Sequence, residues 1–355
     1  MTEYLYTIFA LLPFMVSLVS LVVYLVAYKS LRAPQRVLIL FIVACLILYF
    51  FHGWYNLADK KVPMWADTMY LFGALSVYPL FYCYVSVLTR DRMDWRMLAN
   101  AVSPAVLLSV LAHATGWDRT VYMICKAVFV AEILQVAVLG MRDIRRFDDQ
   151  VKNFYSDTEG KTLRRIYVLL ICIAVIATLS LASTLTGRGL FRNSMMICIP
   201  SVLFSTLLFG VFYTGYSISF SARDFASETS EEDAGPASEP ADASLEARIA
   251  SEMESRKLFL VPGLKISDVA AVVGSNRSYV SKAINDVAGM SFSDYVNSRR
   301  VEYAKKRLAE AGGEDELSIA GIASESGFAS FPSFYRSFTK FVGMSPTAWI
   351  KQNKG

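Results

Sequence analysis

The sequence predicts an all-α chain in two unlike parts, on three observations. Seven long apolar runs fill the first 220 residues, the composition changes abruptly at Ser221, and a helical pattern near the end of the chain is stated twice. Hydrophobic residues make up 54% of the 355 positions and charged ones only 19%, too apolar a balance for an average soluble chain of this length.

The apolar runs lie at about 4–28, 35–52, 66–89, 97–114, 120–140, 166–186 and 194–218. Each approaches the ~20 residues that cross a bilayer. The fourth is the weakest, because Asn100, Ser103 and Pro104 interrupt it. One such run could be a buried core helix; seven in succession predict a seven-helix transmembrane bundle over residues 1–220.

The first run has no basic segment before it and is followed by Lys29, Arg32 and Arg36. It therefore reads as a retained span with its N-terminus outside, not as a removable signal. The third connection adds Arg90, Arg92 and Arg96, and the fifth adds Arg142, Arg145, Arg146, Lys152, Lys161, Arg164 and Arg165. The even connections hold only Lys60, Lys61, Arg119, Arg188 and Arg192. Thirteen cations against five place the odd connections in the cytoplasm, and with them everything beyond the seventh run.

Few side chains inside the runs suggest chemistry. Lys126 and Glu132 lie in the fifth, with Gln135 one turn beyond Glu132. Charges at that depth face a bundle interior, so these three are candidate sensing residues, Glu132 foremost; structural pairing or snorkelling is the competing reading, and it suits Lys126 best. His52 and His113 sit near span ends as ordinary interfacial residues. The five cysteines (Cys45, Cys83, Cys125, Cys172, Cys198) fall in five different runs without CxxC spacing, so neither a metal site nor a disulfide framework is expected. Trp54, Trp65, Trp95 and Trp117 fit interfacial belts. No HExxH, GxSxG or P-loop occurs, so neither enzymatic activity nor a cofactor is expected.

From Ser221 to Ala243 the chain turns to Ser, Ala, Pro, Glu and Asp, with seven acidic residues against Arg223 alone. A disordered acidic linker is expected over 221–243. Leu245, Ile249 and Met253 then share one face of a short lead-in helix.

The duplicated pattern follows. Ile266, Val269, Ala270, Gly274, Val280, Ile284, Gly289 and Tyr295 return as Ile319, Ile322, Ala323, Gly327, Phe334, Phe338, Gly343 and Trp349. The first three residues of each set mark the buried stripe of a short helix, and the alanine sits where a following helix crosses closely. The glycine leaves that helix at a position favouring φ > 0. Asn276 and Ser330 are N-caps for the next helix, and Pro332 falls in its first turn, where a missing N–H costs nothing. Those second helices are amphipathic: Val280, Ile284 and Val287 face inward in one copy, Phe334, Phe338 and Phe341 in the other. The opposite faces carry Arg277, Ser278, Ser281 and Lys282, then Pro332, Ser333, Arg336 and Lys340. Hydroxyls and cations on the first turns of a helix suit a major groove. A long helix from Phe292 to about Glu310, ended by Gly312-Gly313, separates the two units at 266–287 and 319–341. Arg299-Arg300 and Lys305-Lys306-Arg307 read as solvated decoration of that helix, with phosphate contact as the alternative.

The segment from about Leu258 to Ile350 resembles the DNA-binding domain of the AraC/XylS family of bacterial transcription regulators in both halves, and IAGIASESGFASFPSFYRSFTKFVGMSP (Ile319 to Pro346) resembles that family's signature segment. The resemblance implies a cytoplasmic double helix-turn-helix domain over 244–355. It implies DNA contacts from Arg277, Ser278, Ser281 and Lys282 in the first unit, and from Pro332, Ser333, Tyr335 and Arg336 in the second. Phe331-Pro332 depart from the polar first turn of many members, which shifts Arg336 and Lys340 toward gripping phosphate.

Taken with the apolar runs, the resemblance implies a one-component regulator in a bacterial cytoplasmic membrane, sensing a signal through its membrane domain. Its expected partners are promoter-region double-stranded DNA, the lipid bilayer, RNA polymerase and a second copy of the chain; the ligand is open. The rival reading is a membrane receptor or transporter whose cytoplasmic helical domain binds a protein partner.

Overall fold

The computed structural model describes residues 2–57, 62–90, 94–186, 198–218, 220–230, 243–310 and 319–353. Among them the chain is helical and no strand forms; an isolated bridge pairs Tyr155 with Lys265. The chain divides into two compact units, Met1–Arg145 with Leu163–Arg223 and Arg146–Thr162 with Asp224–Gly355.

Unit 1 is built from α1 (Thr2–Val26), α2 (Ala33–Leu57), α3 (Met64–Arg90), α4 (Trp95–Ala114), most of α5 (Arg119–Phe154), α6 (Arg164–Thr186) and α7 (Cys198–Ser217). Among the described residues six stretches are long and apolar enough to cross a membrane: Tyr4–Val26, Ala33–Leu57, Met64–Arg90, Trp95–Ala114, Arg119–Phe154 and Cys198–Thr229. The α6 helix covers the sixth apolar run but is not among the six, so the expected count of seven is not reached. Leu107, Phe209 and Val138 stand well exposed on their helices, apolar outward faces that hydrocarbon accepts and water does not.

Small residues set the helix spacing in this unit. A Cβ on Gly73 of α3 would come within 2.9 Å of the Leu48 backbone nitrogen of α2, so only glycine permits that approach. Polar side chains satisfy carbonyls across helices. The Tyr24 hydroxyl donates to the Phe212 carbonyl at 2.7 Å, and Gln35 Nε2 to the Tyr216 carbonyl at 2.7 Å. Asp143, almost wholly buried, receives Arg90 at 2.5 Å and the Tyr82 hydroxyl at 3.1 Å, which ties α5 to α3.

Unit 2 holds the last turns of α5, then α8 (Ala222–Ser230), α9 (Ala243–Ser255), α10 (Ile266–Val272), α11 (Arg277–Ala283), α12 (Phe292–Glu310), α13 (Ile319–Glu325), α14 (Phe331–Val342) and α15 (Pro346–Asn353). As the spacing predicts, Leu245, Ile249 and Met253 on α9 are buried. The second half packs Val301, Ala304 and Leu308 of α12 against Ile322, Ala323, Phe328, Phe334 and Phe338.

Three expectations are corrected. The linker was to be disordered from Ser221, yet Ala222–Ser230 forms a helix; the rest of the expected linker, up to residue 242, lies outside the described residues, as does Gly312-Gly313. Phe225 explains the helix. Its ring meets Phe147, Phe154 and Tyr155 at 6.2, 5.5 and 6.2 Å, aromatic burial that outweighs a polar composition. Val287 was to face inward but is 60% exposed, because α11 passes into a π-helical turn at Ile284–Ala288 that shifts the helical phase.

Arg300 is the third. It is neither solvated nor free for phosphate: among the described residues it is the largest fully buried side chain. Its guanidinium donates to the carbonyls of Phe259 at 2.6 Å and Val261 at 2.8 Å, to Asn297 Oδ1 at 3.1 Å and to Ser156 Oγ at 3.3 Å. Burial pushes this guanidinium down to about 10, which leaves it charged at neutral pH. Ser156 is itself buried, and its carbonyl accepts from Ser293 Oγ at 3.0 Å and Asn297 Nδ2 at 3.1 Å. The segment after α5 is thereby part of the framework of unit 2.

Arg300→Met should cost about 3 kcal/mol, because the buried acceptors lose their donor. Thermal unfolding of the solubilised full chain, with helix content as the signal, measures it. Gly327 has φ +84°, and a Cβ there would sit 2.6–2.8 Å from the Leu260 backbone; Gly274 has φ +62°, and a Cβ there would meet only the end of the Arg248 side chain, at 3.9 Å, an ordinary van der Waals contact. Gly274→Ala should therefore cost only the left-handed penalty of about 1–2 kcal/mol, and Gly327→Ala distinctly more. Equal losses in the same unfolding experiment would refute the backbone contact as the cause.

Candidate nucleic-acid interface

Each half of unit 2 contains a helix, a glycine turn and a capped second helix. In the first, Ile266, Val269 and Ala270 are buried on α10, and the chain reverses at Gly274. Asn276 caps α11 by accepting from the Tyr279 N–H at 2.9 Å. In the second, Ile322 and Ala323 are buried on α13, the chain turns at Gly327, and Ser330 caps α14 by accepting from the Ser333 N–H at 3.2 Å. Pro332 stands in the first turn of α14 as expected. Each cap satisfies one of the free N–H groups of its first turn and fixes where the helix begins.

Of the residues implied for the first unit, Ser278 and Lys282 are exposed while Arg277 and Ser281 are partly buried. The Arg277 guanidinium lies 5.9 Å from the Phe154 ring centroid and donates to the Thr229 carbonyl at 3.2 Å. The Ser281 hydroxyl accepts from Asn285 Nδ2 at 3.4 Å. Of those in the second, Pro332, Tyr335, Arg336 and Lys340 are exposed and Ser333 is partly buried. Tyr335 packs on Phe331 with ring centroids 6.4 Å apart, an exposed aromatic pair on the first turns of α14. Lys340 Nζ meets Asp294 at 2.6 Å.

Both second helices thus present cations and hydroxyls to solvent over a buried apolar stripe. Such a face can pair with phosphate oxygens through Lys282, Arg336 and Lys340 and with base edges through Ser278 and Arg336.

Sequence reasoning missed what lies beside this face. The segment 155–162, which follows α5 and belongs to unit 2, packs on both helix-turn-helix halves: the Ser156 N–H donates to the Leu264 carbonyl at 3.0 Å, and the Ser330 hydroxyl donates to Glu159. Lys265 of α10's N-cap pairs with Glu228 of α8 at 3.1 Å, and the Tyr155 hydroxyl donates to the same carboxylate at 2.8 Å. The one available signal was Phe225, a lone aromatic in an otherwise polar stretch.

The three candidate sensing residues are not brought together. Lys126 Nζ stacks 4.4 Å over the Tyr122 ring, Gln135 is exposed, and Glu132 is buried with neither carboxylate oxygen hydrogen-bonded. His113 Nδ1 shares a hydrogen bond with Thr68 Oγ1 at 3.0 Å, and His52 stacks on Tyr70. Among the described residues no group of His, Cys, Asp and Glu is arranged to hold a metal, and the five cysteines are free.

Sequence comparison with known proteins also finds a helix-turn-helix domain. Residues 269–352 match a family described as a helix-turn-helix domain. A stretch of 92 residues is 35% identical to an HTH-type transcriptional regulator of Staphylococcus aureus (strain MSSA476), covering 26% of this chain and 11% of that protein. Over 88 residues the chain is 33% identical to the melibiose operon regulatory protein of Escherichia coli (strain K12), covering 25% of this chain and 28% of that one. A solved structure of a protein of unknown function from Listeria innocua aligns with 30% of this chain and 94% of its own at 26% identity, with a TM-score of 0.26. The chain thus spans about a tenth of the length of the first of these regulators and just over a quarter of the second. Its C-terminal segment carries an AraC-type helix-turn-helix domain, the part shared with them.

Proposed function

We propose that this chain is a membrane-embedded, one-component transcription regulator that binds DNA sequence-specifically through two helix-turn-helix units. One observation carries the reading: α11 and α14 are both N-capped, both follow a glycine turn, and both turn cations and hydroxyls outward. In this reading Arg277, Ser278, Ser281 and Lys282 serve the first unit, and Pro332, Ser333, Tyr335, Arg336 and Lys340 the second. The AraC-type domain and its likeness to transcriptional regulators support it.

The membrane part belongs to the same proposal. Within residues 1–220 the membrane domain is 1–145 with 163–220, with α6 as a seventh span and the N-terminus outside. The cation bias of the connections then puts residues 244–355 in the bacterial cytoplasm, where promoter DNA and RNA polymerase are. A signal reaches the membrane domain, and Glu132, a buried carboxylate without a hydrogen-bond partner, is the best placed of the three candidate sensing residues. A second copy of the chain fits the half-site symmetry common to such regulators. Binding happens at the membrane: because Ser156 holds the buried Arg300, the DNA-binding unit keeps a segment that a cut in 231–242 does not release.

The test is duplex binding by the full chain in nanodiscs of neutral lipid. Affinity should fall steeply with salt, since each phosphate neutralised contributes about −0.9 to the slope. Lys282→Ala should lower that slope by about 1 and weaken all sequences alike. Arg336→Ala should cost about 1–3 kcal/mol and relax preference at one position where it reads a base, and cost less where it holds phosphate. A chain that ignores duplex at low ionic strength would overturn the proposal and favour the protein-partner reading.

A further inference from the structure

We infer that the segment between α5 and α6 is an intramolecular competitor of DNA, with Glu159 occupying the place of a backbone phosphate on the second recognition helix. This rests on the reading of α14 as DNA-binding.

The Glu159 carboxylate lies at the N-terminal end of α14. It accepts from the hydroxyl of Ser330, the N-cap residue, and stands 3.6 Å from the Arg336 guanidinium one and a half turns on. The N-terminus of a helix carries partial positive charge, and a cation beside it completes an anion-binding place. A carboxylate and a phosphodiester oxygen make the same demands there, and two anions cannot share it. Glu159 is held in position, since its own N–H donates to Asp157 Oδ1 at 3.1 Å. Its anchor is deep: Ser156, three residues earlier, is buried against Ser293, Asn297 and Arg300.

The first unit shows the same pattern independently. Arg277, the first residue of α11, is engaged by the Thr229 carbonyl of α8 and the Phe154 ring of α5. Each recognition helix therefore has an arginine committed to segments 146–162 and 224–230, which lie outside the helix-turn-helix repeats. Full engagement of DNA by α14 requires Glu159 to leave, so a displacement of Glu159, beyond the anchored Ser156, changes affinity without altering any DNA-contacting residue. Glu159 is 40% exposed in its side chain and Arg336 53%, so the contact is a weak latch that phosphate outcompetes, not a permanent block.

Glu159→Gln tests this in the full chain in neutral nanodiscs, with a pool of random 30-base-pair duplexes at low ionic strength as probe. Glu310→Gln, which removes an exposed carboxylate paired with Arg307 on α12, controls for overall charge. Glu159→Gln should tighten binding about two- to five-fold over both wild type and Glu310→Gln, the range expected for an exposed ion pair. In an Arg336→Ala background that gain should shrink, because the two residues act through one contact. If Glu159→Gln binds no tighter than Glu310→Gln while wild type binds duplex, the inference falls and the regulator reading stands. If no variant binds duplex, both fall.

Discussion

The buried Arg300 guanidinium is the interaction on which unit 2 depends. A cation removed from water is costly unless its donors are used, and here they reach four partners from three places in the sequence. Phe259 and Val261 belong to the turn before α10, Asn297 to α12, and Ser156 to the segment after α5. Without that charge, the turn that backs Gly327 and the segment that carries Glu159 lose their common anchor. The position of Glu159 on α14 is thus a distant consequence of an arginine that touches neither.

Much of the chain was legible because its physics is local. Apolar runs announce helices, and the repeated Ile-Val-Ala-Gly spacing announced both helix-turn-helix units along with their caps at Asn276 and Ser330. A cap needs only the residue and its neighbours three positions on, which is why that reading held. What escaped depends on contacts distant in sequence. Arg300 looks like surface decoration in a basic helix until the Ser156 and Phe259 partners are in place. Val287 fits the inward stripe by 3.6 periodicity, but periodicity presumes an uninterrupted α-helix, and the π-helical turn breaks it. Phe225 alone cannot overturn a polar composition on paper; three rings waiting for it can.

The proposed recognition face is also less free than its sequence suggests. Ser278 and Lys282 are open, but Arg277, Arg336 and Lys340 each already hold an intramolecular partner. Those pairs are exposed or partly so, and therefore cheap to exchange for phosphate. An interface of this kind combines ready exchange with a baseline below its full affinity. That suits a protein whose output is adjusted, not merely present.

The central claim is that two helix-turn-helix units of one chain enter successive major-groove segments of the same duplex. Hydroxyl-radical footprinting of the full chain on a duplex selected from a random pool tests it most directly. The account predicts two protected patches on one face of the DNA, about 10 base pairs apart centre to centre. A single patch, or uniform cleavage at the same occupancy, would contradict it.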